Sequence, residues 1–340
     1  MSSKANPTAV IIGDIHFSTS TLDLASHALI EAKNLALELS IPLILNGDIH
    51  DTKDIIRATY ANQIIDILTD GLRVNTIINT GNHDLINEKS EQTSLEFLRP
   101  YVNKLVVKRP ISQQLGYIIP YQTSAEVLQS ILDNIPINSR IIIHQGVQTA
   151  YMGHYTQDKT SLPKEAFKDF RVIASHYHKR QDIKCGPPRK GAVGLFSYIG
   201  NPYTLNFGEA NDGPKGISIL YDDGLTELVP LNLRKHVILE THINELNAIN
   251  TTAIQPNDLV WVKLHGPLSG LKKLNKNELG KRLFNNVNYK LDLIPDKSEG
   301  LQPILSAHTS EQVFDKIIDA LSDTDNHKNE LKDTWRDLLK

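Results

Sequence analysis

Five short blocks of this sequence concentrate side chains that bind divalent cations. They are Asp14 and His16 in Asp14-Ile15-His16, Asp48 after Gly47, Asn82-His83-Asp84 after Gly81, His144, and the pair His176 and His178. Carboxylate oxygens, imidazole nitrogens and amide oxygens are the donors that hard and borderline divalent metals take. An Asp-x-His or His-x-His pair on an extended chain puts both side chains on one face, because strand residues alternate. Gly47 and Gly81 let the backbone turn tightly after a strand. Each block alone says little, since Gly-Asp is common and a lone buried histidine is more often a satisfied core residue. The ordered set holds five of the thirteen histidines, and as a set it points to a metal centre.

The elements that must position these residues follow one pattern in the first half: a short apolar strand ending in polar residues, then a helix. Ala9 to Ile12 runs into Asp14, and Leu22, Ala25, Leu29, Ala32, Leu35, Ala36 and Leu39 then keep helical spacing. Pro42 to Leu45 predicts a strand ending at Asp48, Ile55 to Leu68 a helix, and Val74 to Asn79 a strand ending at Asn82. Arg140 to Ile143 leads into His144, and Arg171 to Ala174 into His176. This is α/β alternation. Every candidate ligand falls beyond the carboxyl end of a strand, where open α/β sheets carry their function. From about Phe196 to Leu231 strands alternate with turns, which predicts an antiparallel closure of the sheet.

With Ser175-His176-Tyr177-His178, the stretches Tyr198-Ile199-Gly200-Asn201-Pro202-Tyr203-Thr204-Leu205 and Asn211-Asp212-Gly213-Pro214-Lys215-Gly216 make the chain resemble the calcineurin-like metallophosphoesterases. Within that superfamily it is similar to the exonuclease subunit of the SbcCD complex, above all to the short phage recombination nucleases of that group. The resemblance covers roughly residues 8 to 230. It departs at Ser175, where the family usually has glycine, and at His50, often an apolar or aromatic position. It implies an α/β sandwich of mixed sheets flanked by helices over residues 1–232. Beyond a boundary near Leu231 to His236, Asp258 to His265 alternates like a strand and Leu274 to Phe284 has the look of a helix, which predicts a small α/β domain over 233–305; the resemblance makes it a DNA-capping domain and residues 306–340 a helical partner-binding segment. It also implies two divalent cations, by family preference Mn²⁺. Asp14, His16, Asp48 and His178 would hold the first, and Asp48, Asn82, His144 and His176 the second. Two cations about 3.5–4 Å apart need a shared anionic bridge and can together activate a water for in-line displacement. His83 would then contact the phosphate or protonate the leaving oxygen, with Asp84 holding its imidazole or capping the turn. The implied activity is a manganese-dependent 3′–5′ exonuclease and endonuclease in DNA recombination, repair and end processing, working with an SMC-like ATPase of SbcC type and as a homodimer. The alternative is a phosphoesterase of the same superfamily acting on a cyclic nucleotide or other small phosphodiester.

The totals are compatible with this. The chain has 340 residues, 40% hydrophobic and 22% charged, as expected of a globular protein with one large and one smaller domain. Its single cysteine, Cys185, excludes an intrachain disulfide framework and fits a reducing compartment. Met1 to Thr8 lacks a signal-peptide core, and no apolar run reaches the ~18 residues of a membrane span, so a cytoplasmic protein is expected, in the bacterial host if phage-encoded. The net charge of −3 does not advertise nucleic-acid binding, although bound cations would add positive charge where it matters. Lys179, Arg180, Lys184, Arg189 and Lys190 follow the His-x-His block, and Lys184, Arg189 and Lys190 are the candidate DNA contacts. Near the end, Val313, Phe314, Ile317, Ile318 and Leu321 form one helical stripe, and Leu331, Trp335, Leu338 and Leu339 a second. Such stripes serve either the chain's own core or a partner's groove.

Overall fold

The computed structural model describes residues 5–53, 55–87, 92–107, 109–153, 156–187, 194–248, 251–274 and 288–296. The chain divides into two compact units, Met1–Val237 and Ile238–Lys340. The first is α/β, with two mixed six-stranded sheets flanked by helices, an arrangement consistent with a sandwich.

The first sheet is built around β1 (Pro7–Ile12), β2 (Leu43–Asn46), β3 (Thr76–Asn79) and β4 (Lys104–Val106), which run parallel. Later strands β11 (Gly216–Tyr221) and β12 (Thr226–Pro230) close it antiparallel against β1. The second sheet has the order β5-β6-β7-β8-β10-β9. Its strands are β5 (Ile111–Gln113), β6 (Gly116–Ile119), β7 (Arg140–His144), β8 (Arg171–Ser175), β9 (Gln181–Lys184) and β10 (Leu195–Tyr198). The antiparallel closure predicted from Phe196 onward is made by β11 and β12 in the first sheet, while β10 pairs antiparallel with β9 at the edge of the second. β10 runs parallel to β8 and belongs to the other sheet, because its Phe196 and Tyr198 complete the apolar cluster on that sheet's outer face.

Strand alternation accounts for the layers. Val10 and Ile12 pack with the buried faces of α1 (Leu22–Glu38) and α2 (Ala58–Thr69). Their neighbours Ala9 and Ile11 face the other way and join Ile44, Ile77, Ile118, Ile142 and Ile173 in the layer between the sheets. On the far side, Ile141, Ile143, Val172 and Ala174 pack with Leu128 and Leu132 of α3 (Ala125–Asp133). The second helix starts at Ala58 rather than Ile55. Thr52 Oγ1 donates to the Ile55 carbonyl at 2.6 Å, and Ile55 is left 67% exposed, so the first turn expected there does not form.

In the second unit, β13 (His236–His242), β14 (Leu259–Gly266) and β15 (Asn288–Pro295) form a three-stranded sheet, with α4 (Leu268–Lys272) after β14. The alternation expected from Asp258 to His265 is that of β14. The helix expected from Leu274 to Phe284, apart from Leu274 itself, and both C-terminal stripes lie outside the described residues. No helix among the described residues is long and apolar enough to cross a membrane.

Candidate metal centre

Beyond their last paired residues, β1 and β2 stay hydrogen-bonded through their loops. Asp14 N donates to Gly47 O, His16 N to Asp48 O and Phe17 N to Ile49 O, at 2.8–3.0 Å. Within these loops Asp14, His16 and Asp48 adopt φ of 51°, 51° and 52°, and across the seam His176 has φ of 110°. Left-handed backbone in residues other than glycine is costly and persists only where the surroundings over-determine it. The surroundings here are visible. Thr21 Oγ1 donates to His16 O at 2.6 Å and Tyr203 Oη donates to Ile15 O. The His176 amide donates to both Asp14 carboxylate oxygens at 3.1 Å.

These loops gather the expected ligands. Donor atoms of Asp14, His16 and His178 lie within 4.8 Å of one another, as do those of Asp48, His144 and His176. His16 Nε2 faces His178 Nε2 at 3.2 Å. Asn82 Oδ1 lies 2.9 Å from His176 Nδ1 and 3.2 Å from His144 Nε2. Asp48 Oδ2 sits between the groups, 3.3 Å from His144 Nε2 and 3.9 Å from His16 Nε2. Both groups draw on both sheets, and a polar bridge joins the sheets beneath them. Asn46 Nδ2 donates to Ile143 O and Ser175 Oγ, and Asn79 Nδ2 to Asn46 Oδ1.

The donor set fits a cation. Asp14 and Asp48 are 0% and 2% exposed, and among the described residues their charged partners are imidazoles rather than lysines or arginines. Burial alone would push His144 down, yet the Asp48 and Asp14 carboxylates outweigh it and raise this histidine to about 9. His176, under burial and beside His144, falls to about 4. The pocket thus calls for positive charge, and its His and Asp groups could hold a metal ion. Asn46 O fixes the ring of His144 by accepting from Nδ1 at 2.8 Å.

Asp84 takes the second of its two expected roles, capping the turn. The Asp84 carboxylate does not meet the His83 imidazole. It accepts from the amides of Asp48, Gly81 and Ile49 at 2.8–2.9 Å, so it shapes the loops that carry the ligands. His83 Nδ1 instead meets Asp51 O at 2.8 Å, and His83 N donates to Asp48 Oδ1 at 2.9 Å. The basic cluster after the His-x-His block also divides. Arg180 is committed to Ser218 and Thr226, Lys184 is an exposed residue of β9, and Arg189 and Lys190 lie outside the described residues. His50 is buried against Phe97 and joins none of the ligand groups.

Asp51 and Glu209 are additions. Asp51 Oδ1 lies 3.4 Å from His16 Nδ1, and Asp51 forms a third group with His16 and His83. Glu209 Oε1 accepts from His178 Nδ1 at 2.8 Å, and although burial opposes ionisation, His178 and Lys215 bring its carboxyl down to about 2. Glu209 had one signal in the sequence: it is the sole acid between Tyr198 and Asn211.

Gly81 must be glycine because a β-carbon there would run into Asp48 Oδ1 and stand 2.9 Å from His144 Cε1. Gly81→Ala is therefore expected to displace Asp48 and to weaken by about 10-fold or more the binding of whichever divalent cation the groups hold, the scale on which lost support around a metal ligand is felt. Calorimetric Mn²⁺ titration of wild type and variant checks this, and equal affinities would contradict the close approach. No protein-family model matches the chain, and no curated protein matches it.

Proposed function

We propose that the protein is a two-cation phosphodiesterase that cleaves DNA, with Mn²⁺ as the metal, the role its motifs share with SbcCD-type nucleases. The observation that carries this reading is Asp48, whose one oxygen faces imidazoles of both ligand groups, 3.3 Å from His144 and 3.9 Å from His16. Asp14, His16, Asp48 and His178 would hold one cation, and Asp48, Asn82, His144 and His176 the other. When bound, the pair would supply an acidified water and neutralise charge on the phosphodiester.

The chain's own residues do the rest. Asn46 fixes His144, Asp84 holds the loops of Asp48 and Asn82, and His83 stands at the edge with Nδ1 engaged by Asp51 O. That leaves His83 Nε2 to meet the leaving oxygen and, as imidazolium, to donate a proton to it. Clefts of about 410 and 350 Å³ flank the cluster, one lined by Ser18, Asp51, Arg57 and Tyr60, the other by Lys53, Asn82 and Tyr121. Room on both sides supports a polymeric substrate over a compact cyclic nucleotide. Association with an SMC-like ATPase through residues 306–340, and a homodimer, belong to the same proposal.

The full chain, incubated with Mn²⁺, is expected to release mononucleotides from end-labelled linear duplex and to stop when the metal is chelated. Hydrolysis of cyclic nucleotides without DNA cleavage would favour the small-phosphodiester alternative. Inactivity on both would overturn the reading.

A further inference from the structure

His178 differs from His144 in what holds its ring. The side chain of His144 is 0% exposed, enclosed by its surroundings, and a backbone carbonyl suffices to orient it. The side chain of His178 is 28% exposed and sits in the turn after β8. Packing does little to hold such a ring, and its two nitrogens could exchange roles. What it meets instead is a buried carboxylate. Glu209 Oε1 accepts from His178 Nδ1 at 2.8 Å, and Glu209 Oε2 accepts from Asn201 Nδ2 at 2.9 Å and Leu205 N at 3.1 Å. Lys215 completes the frame. Its Nζ donates to His178 O at 2.9 Å and to Asn201 Oδ1 at 2.5 Å, and lies 3.4 Å from Glu209 Oε2. Ring and backbone of His178 are therefore held by one connected set of groups, drawn from the segment between β10 and β11.

We infer that Glu209 is a positioning residue of the metal centre: by holding the proton on His178 Nδ1 it keeps the Nε2 lone pair aimed at the space shared with His16 and Asp14, while Lys215 locks the carboxylate and the His178 carbonyl. A carboxylate behind an imidazole ligand both fixes its tautomer and raises its basicity. This inference rests on the metal reading above and adds a residue that no motif assigned.

The test uses the metal-free full chain and Mn²⁺ alone. Glu209→Ala is expected to weaken one class of Mn²⁺ sites by about 10–100-fold in calorimetric titration. In long-range proton–nitrogen NMR spectra of the metal-free chain, His178 should carry its proton on Nδ1 in the wild type and populate the Nε2–H tautomer in the variant. Glu209→Gln, whose amide oxygen can still accept from Nδ1, should keep the tautomer and lose affinity to an intermediate degree. It is nearly the same shape, so it decides the matter if Glu209→Ala does not fold. A purely structural Glu209 would leave tautomer and affinity alone in every folded variant. Mn²⁺ affinity within about threefold of wild type in Glu209→Gln and in a folded Glu209→Ala overturns the inference. A wild type that binds no Mn²⁺ overturns the metal reading itself, before any variant is compared.

Discussion

Asp48→Ala is expected to leave a folded chain whose phosphodiester hydrolysis is no higher than that of the chelated wild type. Asp48 Oδ2 lies between His144 Nε2 and His16 Nε2 at 3.3 and 3.9 Å, and Oδ1 accepts from the His83 amide at 2.9 Å. Removing the carboxylate takes away the anion proposed to bridge the two cations, which need such a bridge to sit close together. The loop should survive, because Asp84 holds Asp48 through the backbone amide rather than the side chain. Alanine at φ of 52° adds roughly 1–2 kcal/mol of strain. Asp48→Asn is therefore the companion variant, since asparagine tolerates this conformation and nearly keeps the shape while losing the charge. An unspecific chromogenic phosphodiester, assayed with Mn²⁺ beside a circular dichroism spectrum, gives the answer. Full activity in either variant would end the two-cation proposal.

His83→Asn should lower turnover by about 10²–10⁴, the range of a general acid–base group, at nearly unchanged Mn²⁺ content and DNA binding. The imidazole belongs to neither of the two ligand groups around Asp48. Its main-chain bond to Asp48 Oδ1 is kept by any residue at this position. What the substitution removes is the ring, edge-on to His16 at 5.1 Å between centroids. Single-turnover rates at saturating Mn²⁺, with metal content measured on the same samples, separate the outcomes. A variant that loses a cation would make His83 a ligand, an assignment its grouping with His16 and Asp51 makes concrete.

The sequence carried the strands and the residues at their ends, because period and spacing are local properties. Asp14, His16, Asp48, His144, His176 and His178 all lie where strand ends converge, and the structure gathers them into ligand groups. Relations between distant segments were not legible. Two separate sheets cannot be told from one when each strand is read alone, so nothing in the sequence separates β10 from β11 and β12. Asp84 follows His83 in the chain, which suggested that they pair. Yet the turn directs the carboxylate to the Asp48 and Gly81 amides, and a spacing of one residue cannot reveal such a direction. Glu209 reaches His178 from 31 residues away in sequence, beyond any periodic signal. Asn46 and Asn79 read as strand ends, and only the facing sheet shows that they bridge to Ser175 and Ile119.

The division of donors between two sheets bears on how the molecule comes into being. Asp14, His16, Asp48 and Asn82 leave the ribosome long before His144, His176 and His178, and neither ligand group around Asp48 is complete within one sheet. A nascent chain that has made only the first four strands holds Asp14, His16, Asp48 and Asn82 but none of His144, His176 and His178. Both groups close only with the later sheet in place, where Asn46 meets Ser175. An unfinished or proteolysed chain that holds one sheet alone therefore carries neither group whole.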